Sequence, residues 1–386
     1  MSRTVLRRAD AGIAHCLAAC VRDPADPSLP ERIRALSERG HLGTLLGLAE
    51  RHRVLGSLAG PLRRTPGVPP EELAAVEARL ARQGARHLRV LADLGDAAEA
   101  LEGIPWFAAK GPVLAETVYP SPELRAYGDL DLVVHASAFE RAVRALEERG
   151  AVVEDRNWAL LRRDRRGQLH VRLPLGTLAD LHWHLVNRGA VRDQFRVRMD
   201  ELFARTGWAD LAGLRIPVLE PTDALLHLAL HASLSGCNRL VWLQDIAAVL
   251  RRGGVSLGDL VRRARAWRVG VQVAMALDHT VRVLGARVPP EVLRDLYGSR
   301  ARAAVSRRLG GLWPPERSIG QDPAALWAQL TRETWRATAL AIGRRAARAA
   351  RGSNTPIDGH AALRAAGGPE DRDTFFAAVT QDPGAA

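Results

Sequence analysis

Asp129 and Asp131 stand two residues apart in the run Gly128-Asp129-Leu130-Asp131-Leu132-Val133-Val134. Side chains alternate across an extended strand, so both carboxylates project from one face, with α-carbons ~6–7 Å apart. Carboxylates so placed suit a shared pair of Mg²⁺ ions, each of which takes octahedral oxygen ligands and binds through one or two carboxylates plus substrate phosphates. Two metals ~3.5–4 Å apart can stabilise the attacking and leaving oxygens of an in-line displacement. An Asp-x-Asp also arises at solvated strand ends. Here the apolar Leu130, Leu132, Val133 and Val134 anchor the pair on a buried strand, where stray charge is costly. Gly128 lets backbone or ligand approach Asp129 closely.

A third carboxylate, Asp180, lies in Leu178-Ala179-Asp180-Leu181-His182-Trp183-His184. On a strand, Asp180, His182 and His184 share one face while Leu181 and Trp183 pack on the other. Asp180 is then placed to complete the metal site and to draw the proton from an incoming hydroxyl; the polar outer face of an edge strand fits the same pattern. Lys110 precedes the acidic pair and is the one lysine among 55 lysines and arginines. In a chain this rich in arginine, a surviving lysine points to a site that a planar guanidinium does not fill.

The elements that must position these residues can be read from periodicity. Residues 9–22, 31–39 and 42–62 repeat apolar positions at three and four residue spacing, and Pro69-Pro70 opens a long amphipathic helix over 71–102. The pattern changes near residue 103. A buried strand is expected over Ile104–Ala109, a short helix over Pro112–Tyr119, a strand over Leu130–His135 and a helix over Ala138–Arg149. Strands follow at Ala151–Glu154, Trp158–Arg162, Gln168–Leu173 after the turn Asp164-Arg165-Arg166-Gly167, Leu178–Leu185 and Leu214–Leu219. Thr222 reads as an N-cap after Pro221, with helices at 223–235, 239–252, 257–267, 270–285 and 323–349. The expected class is α+β, a small mixed sheet covered on one face and flanked by N-terminal and C-terminal helical regions. The divisions are 1–102, 103–220 and 221–350, with 351–386, rich in Gly, Pro, Ala and Asp, as a loose tail.

The chain has 386 residues, 47% of them hydrophobic, enough for a sizeable core and unlike a disordered segment. No apolar run is long enough to span a bilayer, so no membrane partner is expected. The N-terminal stretch after Arg3, Arg7 and Arg8 is broken by Asp10 and His15, too polar for a secretory core, and the chain reads as cytoplasmic. Cys16, Cys20 and Cys237 lack metal-type spacing and read as reduced packing residues. The net charge of +12 permits a nucleic-acid or nucleotide partner without requiring one. Its clusters, Arg162–Arg166, Arg262–Arg268 and Arg344–Arg351, lack the aromatic interleaving of known RNA-binding motifs and read chiefly as solvated helix faces.

Taken in order, the motifs resemble the uncharacterised bacterial nucleotidyltransferases of the DNA polymerase beta-like superfamily. The resemblance is carried by an apolar strand into Lys110-Gly111, a short helix ending near Tyr119-Pro120, then Arg125 and Asp129-Leu130-Asp131. Asp180-Leu181-His182-Trp183 follows, then Leu225-Leu226-His227-Leu228 through His231, and Trp242-Leu243-Gln244-Asp245-Ile246. Order and spacing agree from about residue 103 to 250, which is more specific than any one motif. The wider superfamily usually has Gly-Ser or Gly-Gly before the acids where this chain has Lys110-Gly111-Pro112.

The resemblance implies a Mg²⁺ (or Mn²⁺) enzyme with an NTP as co-substrate. Asp129, Asp131 and Asp180 would hold the metals, with Asp180 as base. Lys110, Gly111 and Gly128 would face the phosphates, and Arg125 the leaving pyrophosphate. A structural ion pair with a nearby acid is the competing expectation for Arg125. Asp223, His227 and His231 recur at four-residue spacing on one helix face. Without a Glu-x-x-His context, zinc is disfavoured and the histidines read as cleft-lining; His182, His184, His227 and His231 are candidates for substrate contact. Asp245 reads as a helix-packing ion-pair member. The acceptor stays open among a small molecule, a peptide natural product and RNA, including the tRNA of a toxin-like modifying enzyme. A non-catalytic nucleotide-binding or interaction protein on the same fold is the competing class.

Overall fold

A computed structural model describes residues 10–312, 314–317, 323–332, 335–350, 360–365 and 369–384. Arg3, Arg7 and Arg8, and residues 351–359 of the expected tail, lie outside these, as do most side chains of the Arg344–Arg351 cluster.

The centre of the molecule is a mixed sheet of seven strands. In chain order they are β1 (Trp106–Ala109), β2 (Leu130–Val134), β3 (Val152–Val153), β4 (Gln168–Arg172), β5 (Leu178–His182), β6 (Gly207–Leu211) and β7 (Leu214–Val218). Across the sheet the order is β3-β4-β5-β2-β1-β7-β6. β2 runs antiparallel to β1 and parallel to β5, which in turn pairs antiparallel with β4. The expected α+β class with flanking helical regions is what the chain forms.

Alternation along the strands sends neighbouring side chains into two cores. Phe107, Ala109 and Val133 join the helices of both flanking regions in one core. Trp106, Ala108, Leu130, Leu132, Ala179 and Leu181 join the other, beneath the helix Phe139–Glu148. The sheet is therefore covered on both faces rather than one. Asp129, Asp131, Asp180 and His182 share strand parity with Val133, so they face the helical regions. The N-terminal and C-terminal regions, separated by the whole sheet in sequence, bury their apolar stripes against each other. The 31-residue helix Pro70–Ala100, about 46 Å long, joins the cores, with Val76 and Leu80 in one and Leu91, Leu94 and Ala97 in the other.

Several elements differ from the sequence reading. Residues 158–162 form part of a helix, Trp158–Arg163, whose cap Asn157 accepts a bond from the Leu160 amide. Six residues are too few for apolar spacing to separate helix from strand. Trp158 packs on Phe375 and Phe376 of a C-terminal helix, Pro369–Thr380, so this part of the expected tail belongs to the second core. Asp382 beyond it is held by Arg192 Nη2 at 2.8 Å and by Arg165 Nε at 2.9 Å. The edge strand β6 and the helices Pro290–Tyr297 and Arg300–Leu312 add to the elements expected, and 323–349 divides into Pro323–Leu330 and Trp335–Ala350. Glu220, not Thr222, caps the helix Pro221–Leu234, accepting the Thr222 and Asp223 amides.

Candidate functional site

β1 ends in Ala109 and the chain turns at Lys110-Gly111 into the helix Gly111–Thr117. Lys110 holds φ +48° and Gly111 φ +27°, both on the side of the map that L side chains avoid. At Gly111 a Cβ would come within 3.2 Å of the Asp129 carbonyl oxygen, so glycine there lets the turn pack against the acidic strand. The strain at Lys110 aims its side chain across the end of the sheet, where Nζ lies 2.9 Å from Asp131 Oδ1.

The parallel pairing of β2 with β5 sets Asp131 directly opposite Asp180, and Val133 opposite His182. His182 Nε2 lies 3.1 Å from Asp131 Oδ1. His182 Nδ1 is buried and has no hydrogen-bond partner among the described residues. One ligand atom from each of Asp131, Asp180 and His182 falls within 4.8 Å of the others. Two carboxylates and an imidazole gathered this closely fit a divalent cation, by donor chemistry and by spacing. Asp129, half-buried just before β2, lines the same cavity but stands outside that group of three.

Burial and neighbouring charge divide the protons among these groups. Burial opposes the Lys110 charge, but Asp131, with Asp129 and Asp180, outweighs it and lifts the ammonium above its ordinary range. Burial also opposes the Asp131 carboxylate, yet Lys110 and His182 hold its pKa far below the usual value. Asp180 goes the other way: burial, then the like charges of Asp131 and Asp129, raise it despite His182 and His170. Asp180 thus binds a proton more readily than an ordinary aspartate. Behind it, His170 Nε2 lies 3.6 Å from Asp180 Oδ1, and His170 Nδ1 is 2.7 Å from the buried Asp155. Asp93 fastens the turn of this β4–β5 hairpin by accepting the amides of Leu175 and Thr177 at 2.9 and 3.0 Å.

The cavity in front of the acids measures about 370 Å³, within the range of small-molecule sites. Asp129, Asp131, Asp180, His182, Lys110, Gly111, Arg125, His227 and His231 all line it. Burial, with Lys110 nearby, depresses His227 to about 3 and His231 well below the ordinary histidine range, so both imidazoles are neutral.

Other expected site residues are placed differently. β5 ends at His182, so His184 leaves the alternation: it is buried, accepts the Val186 amide on Nδ1 at 2.9 Å and does not line the cavity. Asp223 shares a helix with His227 but is fully buried at its start, paired with Arg205 and Arg263 at 2.7 Å each. Gly128 is approached by protein: its carbonyl accepts from Arg86, and the Arg53 guanidinium lies over its α-carbon. Arg125 and Asp245 form a buried fork, Nε to Oδ1 at 3.1 Å and Nη2 to Oδ2 at 2.6 Å, with the Tyr119 hydroxyl donating to Oδ1 at 2.7 Å. That fork ties the loop before Asp129 to the helix Leu240–Arg252.

Arg53 and Arg239 also line the cavity, and the sequence reading does not single them out. No periodicity or motif distinguishes two arginines in a chain so rich in them.

No curated protein matches the chain. Among solved structures it is similar to an antigenic nucleotidyltransferase-like protein from Paracoccidioides brasiliensis, at 14% identity and a TM-score of 0.32, over 54% of this chain and 97% of that one. Residues 40–285, nearly two thirds of the chain and the whole span that builds the cavity, match the family described as "Uncharacterised nucleotidyltransferase", and the chain belongs to that family.

Proposed function

We propose that the protein transfers a nucleoside monophosphate from an NTP to an acceptor hydroxyl, with Asp129, Asp131 and Asp180 at the reaction centre. The observation that carries this reading is the register of β2 on β5, which sets Asp131 and Asp180 opposite each other, with His182, at one end of a cavity. Asp131, Asp180 and His182 would hold a divalent cation, Mg²⁺ or Mn²⁺, with Asp129 contributing from the cavity wall. When bound, such cations neutralise phosphate charge and stabilise the oxygens that attack and leave.

The chain's own residues have separable tasks in this scheme. Asp180, facing the cavity opposite Asp131, takes the proton of the acceptor hydroxyl. Lys110 brings a compact positive charge to the phosphate oxygens, and the Gly111 turn allows their close approach. Neutral His227 and His231 offer hydrogen bonds to polar edges of the substrate without adding charge. Arg125, saturated by Asp245, acts by holding the loop that carries Asp129.

A non-catalytic nucleotide-binding protein is the second reading, and the Lys110–Asp131 contact favours it, because that carboxylate already has a cation on it. The two readings separate on product. Purified protein incubated with α-labelled NTPs, a cell extract and Mg²⁺ or Mn²⁺ should release pyrophosphate and label an acceptor. Labelling that persists in Asp131→Ala and Asp180→Ala would remove these residues from the reaction.

A further inference from the structure

Of the four cations that line the cavity, two are matched: Lys110 by Asp131 and Arg125 by Asp245. The other two, Arg53 and Arg239, are half-buried, and neither has a carboxylate within ion-pair distance among the described residues. A guanidinium in a concave wall loses hydration, and an unmatched one needs an anion to offset that loss.

They lie on either side of the sheet-forming segment in sequence and are brought together by one latch. His52, buried at the end of the helix Leu42–Arg51, accepts the Leu240 amide on Nδ1 at 3.2 Å, and its carbonyl accepts the Val241 amide at 3.2 Å. The neighbours of these partners are Arg53 and Arg239 themselves. Arg53 holds φ +57°, the left-handed position after a helix that glycine or asparagine ordinarily fills. Its guanidinium is thereby laid over Gly128, with Nη2 3.2 Å from where a Cβ would stand. After burial, the charge that most disfavours the Arg53 cation is that of Arg239, with Arg125 and Arg86 adding to it and Asp129 alone opposing. The Arg239 guanidinium lies 5.7 Å from the Trp242 ring centroid, in the same wall.

We propose that Arg53 and Arg239 together receive a phosphate group in the cavity, one arginine supplied by each helical region. Two planar forks in the wall of one cavity, close enough for the Arg239 charge to disfavour that of Arg53, match the several oxygens of phosphate better than the single edge of a carboxylate. The phosphate belongs either to the tail of the NTP or to a phosphorylated acceptor. The identity of that ligand rests on the transfer reading, whereas the anion site does not.

The test is calorimetric titration of the full-length protein in metal-free buffer with inorganic pyrophosphate, then with ATP. Arg53→Gln and Arg239→Gln are compared with wild type, and thermal melting confirms that each folds. Each substitution should weaken pyrophosphate binding about tenfold or more. Arg53→Lys and Arg239→Lys should recover part of the loss, because charge remains when the fork is removed. Weakening of ATP in parallel assigns the site to the NTP tail. Unchanged ATP binding with weakened pyrophosphate assigns it to the acceptor's phosphate. Failure of wild type to bind pyrophosphate, or equal pyrophosphate affinity in wild type and both glutamine variants, overturns the proposal whatever ATP does. Since no turnover is involved, a protein that binds through these arginines yet labels no acceptor overturns the transfer reading and leaves this one standing.

Discussion

Asp131 on β2 and Asp180 on β5 are direct partners across two parallel strands, 49 positions apart in sequence, and Lys110 and His182 both contact the first of them. Two carboxylates on adjacent strands of one face repel, and the fold answers that repulsion unevenly. Asp131 takes the ammonium and the imidazole and stays ionised, while Asp180 is left with the higher proton affinity. In the proposed reaction this asymmetry would leave Asp131 as the fixed anion and Asp180 as the carboxylate open to a proton.

That division predicts different consequences for the two acids. Asp131→Asn and Asp180→Asn should each lower nucleotidyl transfer by at least about a hundredfold with the fold intact. Only Asp180→Asn should also flatten the acidic limb of the rate profile, because it removes the base. Steady-state rates between pH 5 and 8, with circular dichroism as control, check both outcomes. An unaltered acidic limb in Asp180→Asn would count against its role as base.

The Arg125–Asp245 fork predicts a stability effect instead. Asp245→Ala leaves the buried Arg125 charge unmatched and should cost about 3–5 kcal/mol. Replacing both partners with apolar residues of similar size should restore much of the loss, since no lone charge then remains. Urea unfolding of the single and double variants measures it. Equal destabilisation in both would show that shape, not the unmatched charge, sets the cost.

Buried histidines set the response to acid. Burial, with neighbouring arginines, depresses His52 to about 4 and His279 to about 3, and burial with Lys110 depresses His227 to about 3. The folded values lie below the ordinary 6.5, so unfolding takes up protons between the two. Stability from these groups is complete above pH 6.5, falls as pH drops through the window, and stops falling below their folded values. Each histidine contributes about 1.4 kcal/mol per pH unit within its window. Unfolding midpoints should therefore decline steadily from pH 7 to pH 5, and equal midpoints at those two values would contradict the assignment.

The C-terminal helix is part of the core in this structure. Phe375, almost fully enclosed against Trp158, should cost about 3–5 kcal/mol on replacement by alanine. A thermal melt of Phe375→Ala and of a chain ending at residue 365 should show both destabilised. A truncated chain that melts like the full one would return these residues to the status of a loose tail.

By itself the sequence determined the acidic strand, the Lys110-Gly111 turn, the Asp180 strand and the helical character of both flanks. These depend on local alternation and on 3.6-residue spacing, and each is complete within a few residues of chain. Even the face that Asp129 and Asp131 share follows from alternation, given only that β2 is a strand; that Asp180 joins them there follows from the register of β5 on β2. Tertiary structure decided what stands opposite them. The pairing of Asp131 with Asp180, the fork between Arg125 and Asp245 across 120 positions, and the latch of His52 on Leu240 across 188 depend on which apolar faces meet. The same dependence turned residues 158–162 from an expected strand into a helix, because Trp158 finds its partners more than 200 positions away. Arg53 and Arg239 show it most plainly: in sequence they are two arginines among many, and a single buried histidine brings them into one wall.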